Sequence, residues 1–526
     1  MVTETEKIFA EFKTHSIADF FRKNRQMLGF SGKIRSLTTI VHELVTNSLD
    51  GAEEAGVLPD ISVKIDEVDA ERYRVRVEDN GSGIPEKHIG NALGMMLAGT
   101  KFHRYVQQRG QQGIGGAGCT LYAQITTGKP TRAISGYDGK IVKCDISIDL
   151  KTNRPVVTNV ERETGDFRGL IVELEAGDVG YDKSSHSVFE YLKRTAMANP
   201  HAQITLVEPG GERTLFPRSV ETVPKKPTVI QPHPLGIATH DLIDLAHHDK
   251  ENRKLSSFLQ NSFARVSAGK VKELREMLPH IDFDRKPASL EWAEAEEIVN
   301  AFKKIKWIAP ATDSVIPIGK GQIEKSLGSI LNPEFLSVTE RSPKIYRGGV
   351  PFIVEAAIAY GGGAGRKAGD DAGGDIIRFG NRAPLLFDGS GCAITEAVKS
   401  VDWRRYGIKN FDEEPLTVLI NFTSVHIPYT GAGKQALAPE EELVDEIKNA
   451  TMEAARDLQR YLGGITRDKD RKARRSTVMR YVSQFSKDLS ELTGKEKKAD
   501  IEKKLIDLIE KKYTLKGAAE EGGEGG

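Results

Sequence analysis

Apolar residues recur along the first third of the chain with two different periods. Between Ile34 and Ala55, Leu37, Val41, Leu44, Val45 and Ser48 fall on one face of a helix, which Gly56 and Pro59 close. The period then drops to two. Ile61, Val63 and Ile65 share a face in ISVKI, as do Tyr73, Val75 and Val77 in RYRVRVE, ahead of the turn DNGSG. Further strands are expected over 141–150, after the turn YDGK, and over 169–174. Strands joined by short turns predict an antiparallel or mixed sheet, not a doubly wound parallel one.

Four prolines between Pro224 and Pro234 deny the chain a continuous helix or central strand, so VETVPKKPTVIQPHPLG reads as a linker. Beyond it Leu255, Phe258, Leu259, Phe263 and Val266 return to helical spacing; SAGK breaks this helix, VKELREML resumes it, and EWAEAEEIVNAFKKI follows. Strands are expected again after Lys306, most clearly in PFIVEAAIAY and PLTVLINF. A long helix is predicted from Pro439 to Leu462, ending at Gly463 and Gly464. Residues 467–513 look like further amphipathic helix, and the last ten residues, GAAEEGGEGG, are expected to be disordered. There is no internal repeat.

Composition bounds the function classes. With 526 residues, 75 basic and 75 acidic side chains and 39% hydrophobic content, the chain is expected to be soluble and of three or four domains. Zero net charge excludes bulk attraction to nucleic acid or anionic membrane, leaving local patches. Cys119, Cys144 and Cys392 are too scattered for a disulfide framework or zinc site. No basic n-region with an apolar core opens the chain, and no apolar window reaches the roughly 18 residues of a membrane span. A reducing, cytoplasmic setting is expected, with no membrane partner.

Three stretches carry candidate chemistry. In HELVTNSLDGAEEAG, Glu43, Asn47 and Asp50 stand at i, i+4 and i+7, a polar face turned away from the apolar stripe. H-E-x-x-H zinc chemistry is excluded because Thr46 stands where the second His belongs. In EDNGSGIP, Asp79 ends a strand and Gly81 and Gly83 let the backbone be approached closely. Between Gly90 and Thr120 lie eight glycines, including the run RGQQGIGGAGCT, whose N–H groups and following helix suit a phosphate. Gly113, Gly115 and Gly118 match dinucleotide spacing, but the preceding RYVQQRGQQ is too polar for that fold's buried strand. TGAGKQA is not a Walker A loop, since Gln435 stands where Ser or Thr is required. Together the three stretches suit ATP: Asn47 can hold Mg²⁺ against phosphates, Glu43 can orient or deprotonate water, and Asp79 can accept the adenine amino group.

HELVTNSLDGA, EDNGSGI and RGQQGIGGAG resemble the gyrase, heat-shock-chaperone, histidine-kinase and mismatch-repair (GHKL) ATPase superfamily. GTKFH, YLKRTAMANPHAQITL, QPHPLGI and IPYTGAGKQALA narrow the resemblance to the B subunits of archaeal-type DNA topoisomerase VI, over residues from about 5 to 470. The resemblance implies an α+β multidomain chain: a dimerisation arm over 1–20, a GHKL (Bergerat) α/β-sandwich ATPase domain over 21–227, and a helix–two-turns–helix domain over 228–305. A transducer domain with a long C-terminal helix over 306–470, a helical extension over 471–516 and a disordered tail over 517–526 complete it.

It also implies ATP and Mg²⁺ as cofactors, Glu43 as catalytic base, Asn47 as magnesium ligand and Asp79 as adenine reader. Asp50, Gly81, Gly83, Thr100, Lys101, Gly110, Gln111, Gln112, Gly113, Ile114, Gly115, Gly116 and Ala117 join Asn47 and Asp79 in the nucleotide set, and Lys434 resembles the catalytic switch lysine that touches the γ-phosphate. Gly169-Leu170 departs from the Gly-Thr common among relatives. The implied partners are double-stranded DNA, a second copy on ATP binding, and an A subunit that cleaves DNA within an A2B2 heterotetramer, near the nucleoid. Asp282 and Asp284 lie between predicted helices and offer no cleavage site. Rival readings are a chaperone-like or repair ATPase and a nucleotide-sensing scaffold; no phospho-accepting His segment supports a kinase. Two basic stretches, Lys250–Arg275 and Arg467–Arg480, each set seven basic residues against two acidic ones and are candidates for phosphate contact.

Overall fold

The computed structural model describes residues 16–97, 105–110, 113–365, 373–431, 433–494 and 497–521. They form two compact units, one of residues 1–402 with 411–454, the other of 403–410 with 455–526.

Within the first unit, an eight-stranded sheet is built from β1 (Asp60–Asp69), β2 (Arg72–Glu78), β3 (Thr131–Tyr137), β4 (Lys140–Asp149), β5 (Arg154–Thr164), β6 (Gly169–Gly177), β7 (Gln203–Val207) and β8 (Arg213–Phe216). Its order is β5-β4-β3-β6-β2-β1-β7-β8, and only the β1–β7 pair is parallel. The mixed sheet expected from the short turns is therefore present. Five helices accompany it: α1 (Ile17–Lys23), α2 (Lys33–Ala55), α3 (Glu86–Gly94), α4 (Gly115–Thr127) and α5 (Val188–Ala198). α2 is the central one. Leu37, Ile40, Val41, Leu44, Val45 and Leu49 are buried with Val63, Val75 and Leu174 of the strands, and each full burial is worth roughly 1.5–3 kcal/mol. Gly56 at φ 73° ends the helix, its N–H returning to Ala52 O and Glu53 O.

Four helices follow the proline-rich stretch: α6 (Thr239–His248), α7 (Leu255–Ser262), α8 (Ala268–Met277) and α9 (Trp292–Lys304). They close around Phe258, Phe263 and Phe302. Phe263 is buried as the periodicity requires, but in extended backbone just past the end of α7. After α10 (Lys320–Leu331) comes a six-stranded sheet of β9 (Phe335–Glu340), β10 (Lys344–Tyr346), β11 (Val350–Tyr360), β12 (Asp375–Gly380), β13 (Ala383–Pro384) and β14 (Leu416–Ser424), with α11 (Ala393–Lys399) beside it. β14 is buried along its whole length and β11 along all but its last residue. α5 bridges the two sheets: Met197 and Ala198 share a core with Ile323 and Leu327 of α10 and with β11 and β14, and Ser326 Oγ donates to Met197 O at 2.9 Å.

The last helices correct two expectations. The helix expected to stop at Leu462 is α12 (Glu441–Thr493), which runs on through Gly463 and Gly464. Two interior glycines cost about 1 kcal/mol each against alanine, which the helix-forming residues on both sides outweigh. α13 (Lys498–Glu521) takes in the first five residues of the expected disordered tail; 522–526 lie outside the described residues.

Candidate nucleotide site

The polar face of α2 looks onto the start of α4. A Cβ placed on Gly115 would stand 1.9 Å from Glu43 Oε2, so the bare glycine lets the helix N-terminus come close to the carboxylate as it is placed here. One turn on, Asn47 is exposed, with its amide Nδ2 3.9 Å from the Cβ position of Gly116 and its Oδ1 3.8 Å from that of Gly110. Glu43, Asn47, Gly110, Gly115 and Gly116 thus share one cleft.

Asp79 leaves the end of β2 and is 7% exposed. Its Oδ1 accepts from Gly81 N at 2.9 Å and Leu170 N at 3.1 Å, and its Oδ2 from Ser48 Oγ at 2.8 Å. Burial raises the Asp79 pKa, and these three donors pull it part of the way back. Asn80 pins the turn, accepting from Asp60 N and donating to Leu58 O, both at 3.0 Å. Gly169 at φ 134° is obligatory, since a Cβ there would stand 1.9 Å from Asp79 O. At the Gly169-Leu170 departure, Leu170 contributes its backbone N–H, and the hydroxyl on Asp79 comes from Ser48 of α2. The helical period alone assigns Ser48 to the apolar stripe; a hydroxyl standing among apolar residues is the one sequence signal for its second role. Gly83 at φ 66° abuts Gly136 O, and Ile84 N donates to Ser135 Oγ at 2.7 Å.

Lys434 comes from the other sheet. The loop after β14 doubles back through an antiparallel bridge between Tyr429 and Leu437, with Lys434 at φ 50° and only 7% exposed. Gln435 Oε1 holds the loop by accepting from Leu386 N and Phe387 N at 3.2 and 3.1 Å. The Cβ position of Gly433 lies 3.8 Å from Gly29 Cα, beside α2. The charge of Lys434 is felt beside Glu43: burial lowers the pKa of His42, Glu43 opposes that, and Lys434 adds to it. Tyr429, raised by burial, also feels Glu43. No hydrogen bond or ion pair to Glu43, Asn47 or the Lys434 ammonium is found among the described residues.

Asp50, one turn beyond Asn47, is engaged differently. Its Oδ1 accepts from Arg109 Nη1 at 2.8 Å, while its Oδ2 lies 3.9 Å from the Cβ position of Gly110. Arg109 also grips Glu53, Nη1 to Oε2 at 3.0 Å and Nη2 to Oε1 at 2.7 Å. No sequence pattern marks Arg109; a single arginine in the polar run before Gly110 is its only trace. Ile114 and Ala117 are buried at the start of α4 and Gly113 takes φ 57°. Thr100, Lys101, Gln111 and Gln112 lie outside the described residues.

Residues 32–152 match the family described as histidine kinase-, DNA gyrase B- and HSP90-like ATPase, and residues 310–474 match the topoisomerase VI B-subunit transducer. The B subunit of type 2 DNA topoisomerase 6 from Pyrococcus horikoshii is 45% identical, covering 98% of this chain and 98% of its own. Its counterpart from Methanothermobacter thermautotrophicus is 44% identical, again covering 98% of each chain. Among solved structures, the ATPase region of Saccharomyces cerevisiae topoisomerase II bound to dexrazoxane aligns over 87% of this chain and 99% of its own, at 11% identity and a TM-score of 0.41. With an ATPase cleft on the first sheet, a lysine delivered from the second, and full-length relatives at these identities, the chain belongs to the family of type 2 DNA topoisomerase 6 B subunits.

Proposed function

We propose that this chain binds and hydrolyses ATP at the α2–α4 cleft to drive DNA strand passage by a type IIB topoisomerase, with cleavage carried out by an A subunit. The observation that carries the reading is the convergence of Glu43, Asn47 and Asp79 from the first sheet's elements with Lys434 from the second. Glu43 takes a proton from the water whose oxygen attacks the γ-phosphorus, while the bond to the β-bridging oxygen breaks, leaving ADP and phosphate. The N–H groups at the start of α4 and the Lys434 ammonium answer the charge on the transferring group. Asp79 accepts the adenine amino group in a turn that its own hydrogen bonds hold rigid.

Mg²⁺ fits this cleft. No group of three or more acidic, His or Cys ligands is found among the described residues, and an ion of this type is commonly held by one or two protein oxygens plus the nucleotide's phosphates. The exposed Asn47 amide oxygen would be its protein ligand. When bound, the ion neutralises phosphate charge.

Loss of the γ-phosphate removes the partner of Lys434, which suits ATP-dependent closure of two copies around DNA and reopening after hydrolysis, within an A2B2 assembly. Double-stranded DNA is its partner and the cytoplasmic nucleoid its setting; no helix among the described residues is long and apolar enough to cross a membrane. Of the two basic stretches, Lys250–Arg275 is partly neutralised: Lys254 and Arg275 both pair with Asp284, and Lys270 pairs with Glu273. In Arg467–Arg480, Arg471 pairs with Asp468 and Arg475 with Glu510. Glu43→Ala tests the function: ATP should still bind while turnover falls by about 10²–10⁴-fold, and with it ATP-dependent relaxation on adding the A subunit. Wild-type turnover in that variant would refute the catalytic role.

A further inference from the structure

Residues 107–109, the three that lead into Gly110, are each tied to a different neighbour. Gln107 exchanges two hydrogen bonds with Ile316, donating to its O at 2.9 Å and accepting from its N at 2.6 Å. Gln108 O accepts from Asn381 Nδ2 at 3.0 Å. Arg109 grips Asp50 and Glu53 on α2 and donates to Asn199 Oδ1, just past α5, at 2.5 Å. Asn199 in turn donates to Arg382 O at 3.0 Å. Two of these three ties therefore end in the segment and turn that edge the second sheet, and the third crosses α2.

The β12–β13 turn that receives them is strained. Asn381 and Arg382 both take left-handed backbone, φ 49° and 66°, and both are buried. The turn is fixed from inside its sheet: Asn381 Oδ1 accepts from Ser424 N at 2.9 Å, and Arg382 N donates to Asn421 Oδ1 at 3.1 Å. Asn421 also donates to the fully buried Glu355, whose second carboxylate oxygen accepts from Gly319 N. Costly backbone of this kind persists where surrounding contacts demand it.

The electrostatics join the two sides. Burial raises the Glu53 pKa, and the Arg109 charge with hydrogen bonds from His201 and Arg109 more than reverses this, holding Glu53 well below the usual carboxylate range. Burial lowers the Arg382 pKa, and Glu53 is the first charge that opposes it. The α2 carboxylate that Arg109 grips thus also acts, through its charge alone, on an arginine of the second sheet.

We propose that Arg109 is a positioning residue for nucleotide binding: it fixes Gly110 against α2, and through Gln108 and Asn199 it locks that position to the Asn381–Arg382 turn. The second sheet then sets nucleotide affinity by a route separate from Lys434. The inference rests on the nucleotide reading of the cleft.

The test uses the full chain with its A subunit, Mg²⁺ and either ATP or a non-hydrolysable ATP analogue. Arg109→Lys keeps the charge and loses the two-pronged grip. Asn381→Ala removes the donor to Gln108 O and touches no nucleotide. Analogue Kd and ATP KM should rise about 10-fold in Arg109→Lys and about 3–5-fold in Asn381→Ala, with kcat within about twofold. The double variant should fall short of the product of the two, because both act through one connection. Two folded variants with lowered melting points but unchanged Kd and KM would overturn the proposal and leave a purely structural network. A fully multiplicative double variant would overturn the link between the two sites. Failure of the wild-type protein to bind the analogue would instead count against the function proposed above.

Discussion

Helix α2 meets buried cations toward its C-terminal end and near its middle, and the two meetings differ in kind. Toward its C-terminal end, Asp50 and Glu53 are answered by Arg109, His201 and Arg382, all buried. Near its middle, Glu43 and the buried Lys434 of a tight loop both act on His42, and among the described residues neither side chain makes a hydrogen bond. The fastening at the N-terminal end is at the rim, where Arg35 pairs bidentately with Asp388 at 2.8 and 2.9 Å and covers the Phe387 ring at 4.7 Å. Two buried cations thus differ: Arg109 is committed to protein carboxylates, whereas the Lys434 ammonium has no protein carboxylate partner among the described residues.

The largest stability effect should come from the C-terminal end. Glu53→Gln removes the carboxylate that Arg109 grips and whose charge Arg382 feels, and should cost about 3–5 kcal/mol in denaturant unfolding. The pH sign follows from its lowered pKa. The contribution is fully present above the unfolded value of 4.5, and is lost as pH falls below it toward the folded pKa. Glu53→Gln should accordingly flatten the acid limb of the stability curve; an unchanged limb would show that the pair is not the fastening described.

A second prediction concerns Asp79, the site carboxylate whose pKa burial raises above 3.8. On the proposed reading, only the ionised form would accept the adenine amino group without competition from its own proton. ATP affinity should be full above the raised pKa and fall about tenfold per pH unit below it, starting at a higher pH than an ordinary carboxylate would give. Asp79→Asn should bind weakly and show no such step, which a titration of Kd against pH would reveal. The smallest effect belongs to the rim. Arg35→Ala removes an exposed ion pair and a ring contact, together about 1 kcal/mol or less, and should soften further in salt. If Arg35→Ala proved as costly as Glu53→Gln, the contrast between the two ends would fail.

Much of the cleft was legible in the sequence because it is local. Glu43, Asn47 and Asp50 are one helix face, Asp79 ends an alternating strand, and Gly115 lies in an obvious glycine run. Strand β5 escaped because it is exposed along nearly all its length and so has no alternation to read. The Arg109 network escaped for another reason. Its members, from residue 50 to residue 382, come from five separate segments, and no periodicity joins them. The run of α12 through Gly463-Gly464 shows the limit of local punctuation, since paired glycines weaken a helix without having to end it.

The measurement that bears most directly on this division is steady-state ATPase with parallel melting curves on Lys434→Met, set beside Glu53→Gln. Lys434→Met should lower kcat by about 100-fold, with analogue binding and melting point close to wild type. Glu53→Gln should melt markedly lower while its folded fraction turns over within about twofold of wild-type kcat. Wild-type kcat in Lys434→Met, or a melting point lowered as far as in Glu53→Gln, would contradict the account.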